Sequence, residues 1–237
     1  DHIPGILNGL DTVRWDPAHD PFLPAAYDAQ TLGDREANKT ALQEELNLPA
    51  DPALPLIGMV TRLDYQKGVD LALEALSSLG ELPWQAGFLG SGDPTLEGLV
   101  RRLESDFPGR VRAALRYDSA LSHRIYAGAD LLLIPSRYEP SGLTQMIAMR
   151  YGCVPVARAT GGLQDTITDY SRSTDSTGFL FSQASPAALS KAIQRALQLF
   201  PDRPAWRGLQ QRGMARDFSW ERSARQYLDL YQKLAIE

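Results

Sequence analysis

The sequence has one cysteine, Cys153, so no disulfide can close within the chain, and without a CxxC pair the common zinc spacings are missing. A lone thiol suits a reducing compartment, and cytoplasm is the expected location. Long runs of Lys or Arg are lacking too. With a net charge of −5 and a pI near 5.3, the chain offers nucleic acid no electrostatic footprint, and none is expected as a partner. No apolar run approaches the ~20 residues that span a bilayer, and the first residues lack the basic and apolar regions of a signal peptide, so no membrane partner is expected. There is no initiator Met. The chain opens on Asp1-His2-Ile3-Pro4-Gly5 and reads as a piece of something longer. Histidine is scarce: His2 and His19 fall in an irregular region and His123 on a helix beside Arg124, where all three read as surface or locally bonded. They compose no metal cluster and no Ser-His-Asp or Cys-His arrangement. What remains is a chain of 237 residues, long enough for one large or two small domains with a core that needs neither metal nor disulfide.

Residues 1–33, punctuated by Pro4, Gly5, Gly9, Pro17, Pro21, Pro24 and Gly33, read as loops and short strands at an edge or between domains. From Asp34, a plausible N-cap, the apolar spacing of Ala37, Ala41, Leu42 and Leu46 predicts a helix. A regular rhythm follows. Apolar runs at 54–60, 84–90, 111–117, 130–136, 153–158 and 177–181 alternate with helix-spaced stretches at 69–79, 95–107, 119–129 and 143–152. Runs such as Leu131-Leu132-Leu133-Ile134 show no polar alternation, which fits strands covered on both faces. This pattern predicts an α/β fold: a doubly wound, Rossmann-like parallel sheet spanning 34–217. The remainder, from Pro186 on, is almost wholly helical, and Ser219 is a credible N-cap for a final helix over 218–237 without a full capping box.

Ligands of open α/β sheets bind where strands lead into helices. The loop after the most apolar run, Pro135 to Thr144, holds Pro140 and Gly142 and forms a tight turn before a helix. Its helix start suits a phosphate or diphosphate, and Gly142 lets a ligand approach the main chain; equally, Glu139 could be a first-turn acid satisfying the helix dipole. The loop Thr61 to Gly68 puts Arg62 and Lys67 at another helix start, where cations are mildly unfavourable unless an anion binds. Gly90-Ser91-Gly92-Asp93 is flexible, yet Thr95 stands where a dinucleotide fingerprint has its third glycine, so a nicotinamide enzyme is poorly supported. Thr160-Gly161-Gly162-Leu163 could present backbone amides to a sugar or be a plain turn. Tyr117 could stack on a base at a strand end or simply pack, and Cys153 reads as a small core residue.

Together, Ile6-Leu7-Asn8-Gly9-Leu10-Asp11, Thr61-Arg62-Leu63 with Gln66-Lys67-Gly68, Gly90-Ser91-Gly92-Asp93, Pro135 through Gln145, and Thr160-Gly161-Gly162-Leu163 resemble the bacterial glycogen synthases and plant starch synthases in order and spacing, over nearly the whole chain. The resemblance implies the C-terminal, donor-binding half of a GT-B fold, with the N-terminal domain as a missing partner to which the final helix crosses back. It implies a retaining transfer of glucose from ADP-glucose to the 4-hydroxyl of an α-1,4-glucan, with no metal or other cofactor, and little activity from this half alone. By the family's pattern Arg62 and Lys67 hold the diphosphate with the amides of Leu143 and Thr144, and Tyr117 lies against the base. Asn8, Glu139 and Gly142 line the glucose, with Gln66 and Ser141 adjoining. Arg62, Lys67 and Glu139 form the catalytic set. Ser141 departs from the family, which commonly has Cys there. Ile147 replaces the second glutamate of many related transferases, as in the synthases. The rivals are a UDP-glucose enzyme of the same fold, such as a sucrose or trehalose-type synthase, and a non-catalytic nucleotide-sugar-binding module.

Overall fold

The six apolar runs are rich in β-branched and large aliphatic residues and bounded by turn formers, the composition of a strand with both faces covered. In the computed structural model, which describes residues 5–171 and 173–236, they become β1 (Leu56–Val60), β2 (Gln85–Leu89), β3 (Val111–Ala114), β4 (Leu131–Ile134), β5 (Val154–Arg158) and β6 (Phe179–Phe181). All pair in parallel in the order β3-β2-β1-β4-β5-β6. This is the doubly wound Rossmann order, and its reversal falls between β1 and β4.

Nine helices among the described residues cover the sheet: α1 (Arg35–Glu45), α2 (Val69–Ser77), α3 (Pro94–Asp106), α4 (Ser119–Gly128), α5 (Thr144–Arg150), α6 (Gly161–Thr166), α7 (Pro186–Leu199), α8 (Arg203–Met214) and α9 (Trp220–Ile236). Two apolar clusters result, one on each face. The first holds Trp84, Phe88, Phe179 and Phe200 with the inner sides of α2, α3 and α7, and the second holds Leu42, Leu121, Ile125, Met146 and Tyr151. Each such side chain contributes roughly 1.5–3 kcal/mol on burial. Asp93, Asp118, Ser185 and Asp202 cap α3, α4, α7 and α8 with their side-chain oxygens. Ser219 Oγ accepts the Arg222 N–H at 3.4 Å at the start of α9.

Three expectations are corrected. Asp34 flanks α1 but makes no side-chain cap, because its own backbone is already helical (φ −71°, ψ −18°). The segment before it forms no strand among the described residues; its one β-bridge, Leu10 to Ser219, ties it to the start of α9. His123 is neither surface nor locally bonded: it is 1% exposed, Nδ1 lies 2.6 Å from Asp20 Oδ2, and its ring stacks on Trp15. Tyr151 donates to the same Asp20 oxygen at 2.6 Å, so these side chains fasten the N-terminal segment to α4 and α5. His2 lies outside the described residues.

Candidate functional site

The switch point makes neighbours of the two loops that sequence singled out, because β1 and β4 pair directly. A single 3-10 turn, Tyr65–Lys67, follows β1 and is capped by Asp64. Gly68 then turns left-handed at φ 67°, where a Cβ would strike the Pro135 carbonyl, so the loops touch backbone to backbone. The Arg137 N–H donates to the Gln66 carbonyl at 2.7 Å, and the Arg137 guanidinium forks onto Asp70 at 2.8 and 2.6 Å while covering the Tyr65 ring. Burial opposes ionisation of Asp70, but the bonds from Arg137 prevail and hold its carboxyl below the usual range.

In that crevice Lys67 Nζ lies 2.6 Å from Glu139 Oε2, which also accepts from Ser136 Oγ at 3.0 Å. Both side chains of the pair are mostly buried. Glu139 is five residues ahead of α5 and takes no helix amide, so it is not the dipole-satisfying acid of the alternative reading. The start of α5 at Leu143 and Thr144 has no side-chain cap. Lys67, Ser136, Glu139 and Thr144 line one concavity, which meets a second through Val60 and Thr61. The second holds Arg62, Gly90, Ser91, Arg116 and Tyr117. Tyr117 lies three residues beyond β3, not at its end, and is 86% exposed, so it does not pack. Arg62 is also exposed; its partner is Asp64 at 3.2 Å, and it makes no contact with Glu139. Asn8 stands apart, in a hollow with Asp165, Thr166 and the beginning of α9. Gln66 Nε2 reaches the Tyr138 carbonyl at 3.3 Å.

The turn itself is held from beneath. Gly142 is left-handed at φ 70°, and buried Gln145 directs its Nε2 to the carbonyls of Ser141 and Gly142 and to Thr166 Oγ1, at 3.0–3.2 Å. Ser141 Oγ is buried without a hydrogen-bond partner. Arg158 donates to the carbonyls of Ser136 and Arg137. The Gly162 N–H is taken by the Glu139 carbonyl at 3.0 Å, so that amide is not free for a sugar. Gly161 and Gly162 are small because a Cβ on either would strike the Glu139 or Ser141 carbonyl. Ser136, Asp70, Gln145 and Arg158 were not foreseen as supports. Ser136 and Gln145 lay within the quoted run, but only the fold shows which atoms they reach.

A Rossmann-like sheet carrying a cation, a carboxylate and an open helix start at its switch point has the architecture of one half of a GT-B glycosyltransferase. The model of the family described as "Glycosyl transferases group 1" matches residues 39–207, and the chain belongs to that family, within it to the glycogen and starch synthases. It is 53% identical over 231 residues to a glycogen synthase of Anaeromyxobacter dehalogenans (strain 2CP-1 / ATCC BAA-258), covering 98% of this chain and 48% of that protein. It is 51% identical over 231 residues to one of Aromatoleum aromaticum, covering 96% and 47%. The structure of the catalytic domain of starch synthase IV from Arabidopsis thaliana, bound to ADP and acarbose, superposes with a TM-score of 0.90 at 45% identity, over 97% of this chain and 48% of that one. The chain spans about half the length of these relatives.

Proposed function

We propose that this chain is the donor-binding half of a glycogen or starch synthase that transfers glucose from ADP-glucose, with retention, to the 4-hydroxyl of an α-1,4-glucan in the cytoplasm. The observation that carries this reading is the Lys67–Glu139 pair at the β1/β4 switch point. An ammonium has three donors and Glu139 engages one, so two remain for diphosphate oxygens. Glu139 is held through Oε2 alone, which leaves Oε1 for sugar hydroxyls. Arg62 reaches the diphosphate from the adjoining concavity, the amides of Leu143 and Thr144 assist, and Tyr117 stacks on the base. Gln66, Ser141 and Gly142 complete the surroundings of the glucose, and Asn8 would join them only from the separate hollow beside Thr166. The ADP bound to the starch synthase IV domain agrees with an adenine donor.

As the bond to the leaving diphosphate breaks, negative charge grows on phosphate and positive charge on the sugar ring. Stabilising the first is the larger electrostatic task and falls to Arg62, Lys67 and the start of α5. Glu139 orients hydroxyls and faces the cationic ring. Among the described residues the crevice holds one carboxylate, Glu139, which favours attack by the acceptor on the leaving-group face over the two-carboxylate route of glycosidases.

The proposed organisation keeps 1–33 as an interdomain segment, 34–217 as the donor domain, and 218–237 as a helix returning to the N-terminal half. Tyr227, Leu228, Tyr231 and Leu234 of α9 are exposed, as expected of a helix that packs against a further domain. The test is a transfer assay on the chain joined to that half. Glu139→Ala should abolish glucan extension from ADP-glucose while keeping part of the donor affinity, and turnover at the parent rate would refute the role given to Glu139.

A further inference from the structure

At the other end of the same switch point lies a further concavity with no part in the site above. Asp130, just before β4, accepts the Leu56 N–H at 2.8 Å, which places it at the amino edge of the sheet. About 17 Å of strand separates this edge from the Lys67–Glu139 crevice. Around Asp130 gather Arg35, Lys39, Arg203 and Arg207, with Glu36 the other carboxylate in the lining, so four cations face two anions in a chain whose net charge is −5. Arg35 and Lys39 are both 4% exposed. Two buried cations sharing one buried carboxylate leave a positive surplus in a low-dielectric wall, which focuses the field on the opening.

The bonding pattern shows how that surplus is held. Lys39 Nζ lies 2.7 Å from Asp130 and donates to the carbonyls of Pro52 and Leu54, while Arg35 is spent on the carbonyls of Tyr126, Ala129 and Tyr151. Among the described residues Arg203 donates only to the Pro52 carbonyl, at 3.0 Å, and stacks on Phe200. Arg207 has no ion pair among the described residues. Trp206, also in the lining, has a buried indole N–H with no partner, a donor with no acceptor capacity. Burial draws the Lys39 ammonium below the usual lysine range; Asp130 opposes this, while Arg203 and Arg35 act with it.

We propose that this concavity binds a small phosphate-bearing anion, held by Arg203 and Arg207 above the buried Arg35–Lys39–Asp130 cluster. Two guanidiniums offer forked donors to phosphate oxygens, the chemistry that distinguishes arginine from lysine at such sites. Nothing in the donor reading requires this site, and the two stand or fall separately.

The test follows the Trp206 indole N–H resonance, assigned with Trp206→Phe, while the chain is titrated with inorganic phosphate or with glycerol phosphate at ionic strength held constant with sodium chloride. A saturable shift is expected with one of them, and the tighter binder tells free phosphate from a phosphate monoester. Arg207→Glu and Arg203→Ala, both at exposed positions, should each weaken it about tenfold, the loss of roughly one charge-assisted hydrogen bond. Lys67→Ala should leave it unchanged, which separates this site from the donor crevice. A shift no larger than sodium chloride alone produces, or one that survives both arginine substitutions, would overturn the proposal.

Discussion

Lys67 Nζ and Glu139 Oε2 lie 2.6 Å apart although 72 residues separate them in the chain. Each residue ends up there for a local reason. Lys67 closes the 3-10 turn that Asp64 caps, and Glu139 enters the tight turn that Gln145 and Arg158 support. Their meeting is a property of strand order, since β1 and β4 are neighbours only because the sheet reverses between them.

The contact between those loops has no room for a side chain at Gly68. Gly68→Ala would place a Cβ against the Pro135 carbonyl at φ 67°, so it should destabilise the chain by more than about 2 kcal/mol. Thermal unfolding should show a fall of roughly 4–8 °C for a chain of this size. An unchanged midpoint would mean the loops are not in backbone contact.

Much of this was legible beforehand, and for identifiable reasons. Runs such as Leu131 to Ile134 are uniformly apolar and bracketed by turn residues, so strands and helices could be placed within a few residues of their ends. The loops carrying Arg62, Lys67 and Glu139 followed from the rule that ligands bind where strands lead into helices. The side chains that hold those loops did not follow, because Arg137 meeting Asp70, or Gln145 meeting Thr166, leaves no periodicity to read. The His123, Asp20 and Tyr151 cluster was missed for the same reason: its partners come from segments over 100 residues apart, and local spacing gives a helical histidine no sign of burial. The cationic concavity at the amino edge is likewise assembled from residues near 35 and near 205.

Asp169 should make stability fall in acid. Burial would raise its pKa, but bonds from Arg195, from the Ser171 hydroxyl and from the amides of Leu180 and Ser171 prevail and bring it down to about 2, from 3.8 for the free side chain. A pKa lower in the folded state means the stabilisation is complete above the unfolded value and disappears as pH falls toward the folded one. It amounts to about 2 kcal/mol. Urea unfolding at about pH 6 and about pH 2 should differ by more in the parent than in Asp169→Asn, by roughly that amount. Equal differences would show that Asp169 is not linked to folding.

Cys153 should be inert while the chain is folded. It is fully buried, and burial pushes its thiol up to about 12, so almost no thiolate exists near neutral pH. A thiol reagent should label it only as the chain unfolds, with labelling and loss of ellipticity coinciding in urea. Fast labelling of the native chain would contradict the burial of Cys153 at the entry to β5.

The most direct measurement is calorimetric titration of the chain with ADP-glucose and with UDP-glucose, for the parent and for Lys67→Ala. ADP-glucose should bind the more tightly, and Lys67→Ala should weaken it by about 2 kcal/mol, roughly 30-fold, through loss of a charge-assisted contact to the diphosphate. Binding of neither sugar nucleotide, or affinity indifferent to Lys67, would contradict a donor site built on the Lys67–Glu139 pair.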